Sequence, residues 1–354
     1  MINFRQYPNL TKVIIPDKVQ LSSTNLSYAF SNMRYLVECK FNAKNVTNMF
    51  QTYYNCTNLT NSPVCCSNVT NMTQTYWNCA NLTGSPACSE KITNMYHTYY
   101  NCTNLTGSPV CGEKVTNMTG TYYRCRNLTG SPVCNENVTS MASAYSQCRN
   151  LTGSPTCGNN VTNMYDAYSG CSNLTGSPVC GEKVTNMMST YSYCSNLTGS
   201  PMCGNNVTNM ISTYENCTNL TGSPVCGEKV TSMYGTYKNC YNLTGSPICG
   251  NNVTSMSMTY YKCTNLTGNG YFYSSKISNV ANCFGGRNSN SNRLNIYLPA
   301  DSTTNTTAHI TGSGSLVGTS ITWTDAGDYQ YNTTYNIYLY PVANVATARD
   351  ANGD

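Results

Sequence analysis

Apolar and polar positions recur along this chain with a period of 23 residues. In one unit Val115, Met118, Tyr122 and Cys125 stand at i, i+3, i+7 and i+10, separated by polar residues. This spacing puts the four side chains on one face of a short α-helix. Thr116 has the side chain and the position of an N-cap. The pattern therefore predicts one short helix in every unit.

The remainder of each unit predicts two turns and a short extended segment. Asn127-Leu-Thr-Gly130 is typical of a helix stop followed by a turn. Ser131-Pro-Val-Cys134 is short and apolar, and its proline permits only irregular strand pairing. A polar turn such as Gly112-Glu-Lys114 closes the unit. The expected fold is an α/β repeat solenoid of the leucine-rich-repeat type, with 23-residue coils of a short helix plus a short extended segment.

The repeat also predicts how the chain is organised. The expected parts are an N-terminal cap with a degenerate first repeat (1–45), the regular 23-residue solenoid (46–268), a closing coil (269–292) and a β-rich C-terminal module (293–354).

Alternation of apolar and polar residues predicts the strands of the C-terminal module. Leu294–Pro299 and Tyr335–Pro341 alternate strictly, and Ser320–Thr324 is expected to form a third strand.

The chain has 22 cysteines, and most of them fall into two columns of equivalent residues in successive coils. Equivalent residues of stacked coils lie about 5 Å apart, so each column predicts a structural ladder of small apolar side chains. The alternative is one disulfide in each coil that joins the two columns. Because the sequence shows no signal peptide, buried thiols are favoured. The first column begins Cys56, Cys79, Cys102, Cys125, and the second begins Cys65, Cys88, Cys111, Cys134.

The sequence offers few residues for metal binding or catalysis. The cysteine spacings alternate between 9 and 14, and the two histidines are His97 and His309, so neither a metal site nor a cofactor is expected. The sequence contains no Gly-x-Ser-x-Gly elbow, phosphate loop or dinucleotide fingerprint, which predicts a protein that is not an enzyme.

Charge and hydropathy exclude two further classes of partner. Charged residues make up 9% of the chain, and the net charge of +5 is spread without a Lys/Arg cluster, which argues against nucleic-acid binding. No apolar run reaches the roughly 18 residues that a membrane helix needs. The first residues also lack the apolar segment of a signal peptide.

The repeat motif is similar to a known family. Val-Thr-Asn-Met, an aromatic residue and then Cys-x-x-Leu resemble the BspA-like leucine-rich repeats of bacterial and parasite surface proteins. The present repeat has Thr-Tyr where those repeats usually have Met-Phe, and Gly-Ser-Pro-Val-Cys in place of the leucine-rich strand. The resemblance implies a coiled repeat fold and an adhesin, or a protein of unknown role that is not defined by catalysis.

One variable column predicts a binding surface. The residue after the fixed tyrosine is Tyr54, Trp77, Tyr100 or Tyr123 in four consecutive coils, and Ser, Glu, Lys or Tyr in later ones. A position with that range is expected to face solvent. Exposed aromatic surface commonly marks an interaction site, and such rings suit a sugar or a protein partner. The alternative is that the rings stack on each other for stability or pack against the cap.

The function expected from these patterns is non-enzymatic. Repeats joined to a tyrosine-rich β-module without a leader peptide are similar to bacteriophage head or tail appendage proteins. The leading hypothesis is a virion component, displayed on the surface, that serves in adhesion, receptor binding or decoration. The alternatives are a structural spacer and a cell-surface BspA-like adhesin of a bacterium or protist. The expected partners are host-surface carbohydrate or protein, and other virion or surface proteins that bind the C-terminal module.

Overall fold

The repeat array and the strands that follow it are described in a computed structural model. It describes residues 3–16, 18–19, 21–42, 44–60, 67–299, 324–325 and 330–342. The chain divides into two compact parts, each containing several of the 23-residue repeats. We call Met1–Thr175 the first unit and Gly176–Asp354 the second unit, and each is described by itself.

The segment predicted to be helical is a series of β-turns. In one coil the Thr98 N–H donates to the Met95 carbonyl at 3.1 Å, and the Cys102 N–H donates to the Tyr99 carbonyl at 3.1 Å. These bonds span three residues, whereas α-helical bonds span four. The described residues contain no helix, so the prediction of an α/β solenoid with a short helix in each coil is wrong.

The physical reason is that alternate N–H groups bond to the next coil. Met95 N–H donates to the Asn117 carbonyl at 2.9 Å, and Tyr99 N–H donates to the Thr121 carbonyl at 2.9 Å. Asn94 and Asn117 also form a parallel β-bridge. Because these groups point along the stack, they are not available to carbonyls four residues back in their own coil.

The turns that replace the predicted helix require left-handed backbone at two positions in each coil, and the glycine of Asn-Leu-Thr-Gly adds a third, as at Gly107 with φ of 80°. His97 has φ of 51° and Asn101 has φ of 59°, and each is the third residue of a turn. Positive φ at the third residue is the property of a type II turn, which favours Gly and Asn there. Gly120 and Gly170 occupy these positions in other coils, with φ of 57° and 73°.

Tyrosine rings form the centre of the core. The fixed tyrosines, one in each regular coil from Tyr53 to Tyr260, are at most 2% exposed. In the first unit the rings from Tyr53 to Tyr168 stack with centroids 5.3–5.6 Å apart. In the second unit the spacing from Tyr191 to Tyr260 is 5.6 Å. Buried Val, Met, Cys and Leu columns surround the rings.

Eight of the core tyrosines, from Tyr99 to Tyr260, also bind the extended segment of the preceding repeat through their hydroxyls. The Tyr122 hydroxyl accepts from the Val110 N–H at 2.9 Å and donates to the Val110 carbonyl at 2.7 Å. The described residues around Val110 form no strand, so the hydroxyl satisfies backbone groups that a neighbouring strand would otherwise satisfy. The same pair of bonds joins Tyr99 to Ala87, Tyr145 to Val133, Tyr168 to Thr156, Tyr191 to Val179, Tyr214 to Met202, Tyr237 to Val225 and Tyr260 to Ile248.

Phenylalanines stand at both ends of the tyrosine column. Phe30 stacks on Tyr53 at 5.3 Å, and Phe4 covers Phe30 at 4.9 Å. In the second unit Phe284 stacks on Tyr260 at 5.5 Å. In the first unit β1 (Lys12–Ile14) is parallel to β2 (Glu38–Lys40).

In the described part of the second unit six more strands form one sheet. They are β3 (Ile248–Cys249), β4 (Gly268–Phe272), β5 (Leu294–Pro299), β6 (Thr324–Asp325), β7 (Gln330–Asn332) and β8 (Ile337–Val342). Their order in the sheet is β3-β4-β5-β8-β7-β6. The pairs β3–β4, β4–β5 and β5–β8 are parallel, and β6–β7 and β7–β8 are antiparallel.

The apolar residues of β5 and β8 point to one buried layer. Leu294, Ile296 and Leu298 are buried along β5, as are Ile337 and Leu339 along β8. The predicted strand Ser320–Thr324 lies outside the described residues except for its last residue, where β6 begins.

We expect the hydroxyl of a core tyrosine to stabilise the fold measurably. Tyr145→Phe leaves the Val133 N–H and carbonyl without their partner, at a cost of about 1–3 kcal/mol. Tyr145→Ala also opens a cavity and should cost about 3–5 kcal/mol. Thermal and denaturant unfolding give both values. The control is Tyr165→Phe, which alters an exposed ring and should unfold like the wild type. Wild-type stability of Tyr145→Phe would refute this role.

Candidate functional site

The four aromatic residues singled out from the sequence form one stacked row in the first unit. We call Tyr54, Trp77, Tyr100 and Tyr123 the aromatic stripe. Successive ring centroids are 5.9, 3.9 and 4.5 Å apart, with interplanar angles of 19°, 4° and 14°. The regular spacing follows from the coil-to-coil hydrogen bonds, since Asn78 N–H donates to the Tyr100 carbonyl at 2.7 Å.

Stacking decides which part of the stripe solvent can reach. All four side chains are half-buried rather than fully exposed. Inside the row each ring face is covered by the next ring, so the ring edges, the phenol hydroxyls and the indole N–H remain for a ligand. Partial burial, and then the neighbouring Tyr123, raises the pKa of Tyr100, which keeps this phenol neutral at physiological pH.

The stripe ends at a cation. The Arg124 guanidinium lies 5.3 Å from the centroid of the Tyr123 ring, within the range of a cation–π contact. In the next coil the column continues as Ser146, which is 2% exposed. The surface therefore changes at Tyr123 from a row of aromatic rings to a small buried side chain. The prediction that this column faces solvent is wrong for Ser146, Ser169 and Ser192, which are at most 9% exposed.

Sequence reasoning did not single out His97, which packs against the stripe. Its ring lies 4.8 Å from Trp77 and 5.0 Å from Tyr100, and Tyr96 stacks on it at 3.9 Å. A Cβ at Gly120 would overlap the imidazole, so glycine there makes room for it. Burial lowers the pKa of His97 to about 4, so the side chain is neutral near pH 7.

An asparagine ladder accompanies the stripe. The Asn55 amide donates to Asn32 at 3.0 Å, Asn78 to Asn55 at 2.7 Å, and Asn101 to Asn78 at 2.6 Å. These residues directly follow the stripe residues in sequence. The signal that could have revealed them is that Asn follows the aromatic residue in three successive coils, as Asn55, Asn78 and Asn101, and is replaced by Arg124 after Tyr123.

A second asparagine column is the one that begins each Asn-Leu-Thr. The Asn81 amide donates to Asn58 at 3.4 Å and the Asn104 amide to Asn81 at 3.3 Å, and these side chains are exposed. The bonds join amide to amide along the surface, and they are longer than those beside the stripe.

The first cysteine column lies inside the core. Cys56, Cys79, Cys102 and Cys125 are fully buried. The Cys102 thiol donates to the Tyr76 carbonyl at 3.0 Å, and the other three make the equivalent bond. Burial raises the pKa of Cys56 to about 12. These thiols are therefore poor nucleophiles, because the thiolate is the reactive form.

The second cysteine column lies nearer the surface. Cys88, Cys111 and Cys134 are half-buried, and Cys65 lies outside the described residues. The Cys88 sulfur is 3.9 Å from the Met95 sulfur, and burial raises the pKa of this thiol to about 11. The twenty cysteines that the structure describes are thiols and not disulfides.

The described residues were also compared with the requirements of a metal site and of a membrane-spanning helix. They contain no group of three or more His, Cys, Asp or Glu side chains arranged to hold a metal ion. No helix in that part of the chain could cross a membrane.

Comparison with known proteins identifies a family. The family model described as "Mycoplasma protein of unknown function, DUF285" matches residues 24–131 and 185–297, more than half of the chain. A crystal structure of a leucine-rich cell surface protein from Faecalibacterium prausnitzii is similar, with 16% sequence identity and a TM-score of 0.44. The match covers 77% of this chain and 87% of that one. No curated protein matches the chain.

Thiol titration tests the state of the cysteines. We expect the native protein to react slowly with a thiol reagent, because burial raises the thiol pKa in both columns. After denaturation without reductant, all 22 cysteines should react. A denatured chain that still shows no free thiol would establish disulfides instead.

Stability should also fall at alkaline pH. The pKa of Cys56 is about 12 in the folded chain and 9.0 for an ordinary thiol, so above pH 9 the unfolded chain loses protons first. The buried thiol's contribution is complete below pH 9 and is lost as the pH rises towards 12. Denaturant midpoints measured in reductant on both sides of pH 9 check this. A Cys56→Ala variant should show a weaker decline, and an identical decline would contradict the assignment.

Proposed function

This chain belongs to the family described as "Mycoplasma protein of unknown function, DUF285", and on that premise we propose that it is a non-enzymatic repeat protein displayed at a cell surface, where it binds a partner through the aromatic stripe. The family match agrees with the resemblance of the repeat to BspA-like leucine-rich repeats. It gives no support to the virion hypothesis. The cell-surface adhesin is therefore preferred to a phage appendage protein.

The observation that carries the proposal is that the stripe is not needed for the coil. Where the column has serine instead of an aromatic residue, the backbone hydrogen bonds between coils are retained. The Gln147 N–H donates to the Ser169 carbonyl at 2.6 Å, and the equivalent bond in the stripe, from the Asn78 N–H to the Tyr100 carbonyl, is 2.7 Å long. The core tyrosines do not vary in this way. Four half-buried aromatic residues in succession, in a column that varies elsewhere, therefore favour a binding role over a purely structural spacer.

The chemistry of the stripe favours a neutral ligand. Phenol hydroxyls, the Trp77 indole N–H and the Asn ladder supply uncharged hydrogen-bonding groups beside apolar ring edges. His97 contributes no charge near pH 7. A host-surface carbohydrate can pack its C–H groups against the ring edges while its hydroxyls bond to these groups. Attachment of other surface proteins through the C-terminal module stays a prediction.

Binding to host-surface polysaccharide tests the proposal. Trp77→Ser and Tyr100→Ser place in the stripe the residue that the same column has at Ser146 and Ser169, so the fold should persist. Each change should weaken binding about tenfold, because it removes a ring and its polar edge.

The matched control alters an aromatic residue outside the stripe. Tyr193 is 57% exposed and occupies the column in which Asn55 and Asn78 stand, so Tyr193→Asn should leave binding unchanged. Folded stripe variants that bind like the wild type would move the function elsewhere.

A further inference from the structure

A cavity of about 470 Å³ lies in the first unit, between two successive coils. Its lining includes Cys88 from one coil and Cys111 from the next. Both belong to the second cysteine column, and both are half-buried thiols. None of the residues that line the cavity is in the aromatic stripe. The cavity therefore gives a small ligand access to a pair of thiols outside the site described above.

The stacking of the coils brings the two thiols to one space. They are 23 residues apart in the sequence, and equivalent residues of stacked coils lie about 5 Å apart. Gly112 keeps the space beside the first thiol open, because a Cβ there would lie 3.1 Å from the Cys88 Sγ. In the following coil Asn135 replaces this glycine, and its side-chain amide donates to the Cys111 Sγ at 3.3 Å.

The spacing of the column matches a metal ion held between two sulfur atoms. A metal–sulfur bond is about 2.3 Å long, so a linear sulfur–metal–sulfur bridge spans about 4.6 Å. This length is close to the separation of about 5 Å between successive coils. The Met95 Sδ lies 3.9 Å from the Cys88 Sγ, so a thioether also lies beside the pair.

The chemistry of the pair selects a soft monovalent cation. Thiolate and thioether sulfur favour ions such as Cu(I), whereas Mg²⁺ and Ca²⁺ take oxygen ligands. The two glutamates of the lining are balanced by two lysines, which disfavours a hard divalent cation. Structural zinc sites need four ligands, and the described residues contain no group of three or more His, Cys, Asp or Glu that could hold a metal. A monovalent ion with a filled d shell needs only two thiolates in a line.

From these observations we propose that Cys88 and Cys111 bind one soft monovalent cation, such as Cu(I), as a linear pair of thiolates. Each thiol releases its proton to solvent as its sulfur–metal bond forms, so binding releases two protons and transfers no electron. The site does not rest on the proposed role of the aromatic stripe, because it shares no residue with it. The sequence gave no sign of this pair, since its two ligands come from different coils and not from one short motif.

NMR of the full ¹⁵N-labelled chain, titrated with silver(I) nitrate, tests the site. Silver(I) is a soft monovalent cation that is not oxidised or reduced under these conditions, in chloride-free buffer under argon. We expect one equivalent to shift the amide signals at positions 88–91 and 110–114 and to release two protons. The signals of the core cysteines Cys102 and Cys125 should not move, and Mg²⁺ at the same concentration should shift none of these signals.

Substitutions separate the roles of the thiols and of the space between them. Cys88→Ser and Cys111→Ser each remove one ligand and should weaken silver binding at these positions at least about tenfold. Gly112→Asn keeps both thiols but places here the residue that the next coil has at Asn135, so it should fold and also weaken binding. The matched control, Cys102→Ser, alters a thiol of the core column and should leave silver binding unchanged.

Four results would each overturn the proposal. They are the absence of a silver-induced shift at positions 88 and 111, an equal shift with Mg²⁺, and wild-type silver binding by folded Cys88→Ser and Cys111→Ser variants. The fourth is the loss of two thiols from a protein that retains no silver, which would mean that the pair forms a disulfide instead.

Discussion

The fold depends on hydrogen bonds that run from coil to coil. Each coil is too short and too sharply turned to satisfy its own backbone, so alternate N–H groups bond to the next coil while the others close turns. The core tyrosines complete this arrangement. Their hydroxyls bind both backbone groups of one residue in the extended segment, as Tyr122 does with Val110, and their rings stack in the core. Tyrosine therefore acts here as core residue and as backbone partner, which phenylalanine could not do.

The period and the buried columns could be read from the sequence, because burial at Met118, Tyr122 and Cys125 requires apolar residues at fixed positions. The absence of a helix could not be read from the sequence, since side chains at i, i+3 and i+7 fall on one side of successive turns as well as on one face of a helix. Two signals pointed to turns. Glycine occurs at Gly120 and Gly170 inside the supposed helix, and Asn recurs at the Asn101 position, and both positions have positive φ.

The candidate sites could likewise be predicted from the sequence only in part. Variation within one column was enough to find the aromatic stripe, because this column accepts side chains of different size and polarity and the core tyrosine column does not. The packing of His97 against Trp77 and the bonds along the Asn ladder depend on which columns lie side by side, and a single coil does not reveal that.

The central claim is that the coil is a helix-free stack of turns joined by alternate N–H bonds. Residue-resolved NMR across positions 115–126 tests it most directly. The structure predicts non-helical Cα chemical shifts, positive φ at Gly120 and Arg124, and close contacts between the Met118 N–H and residue Ser140 of the next coil. A continuous run of helical shifts from Thr116 to Cys125, with contacts between residues four apart, would contradict the account.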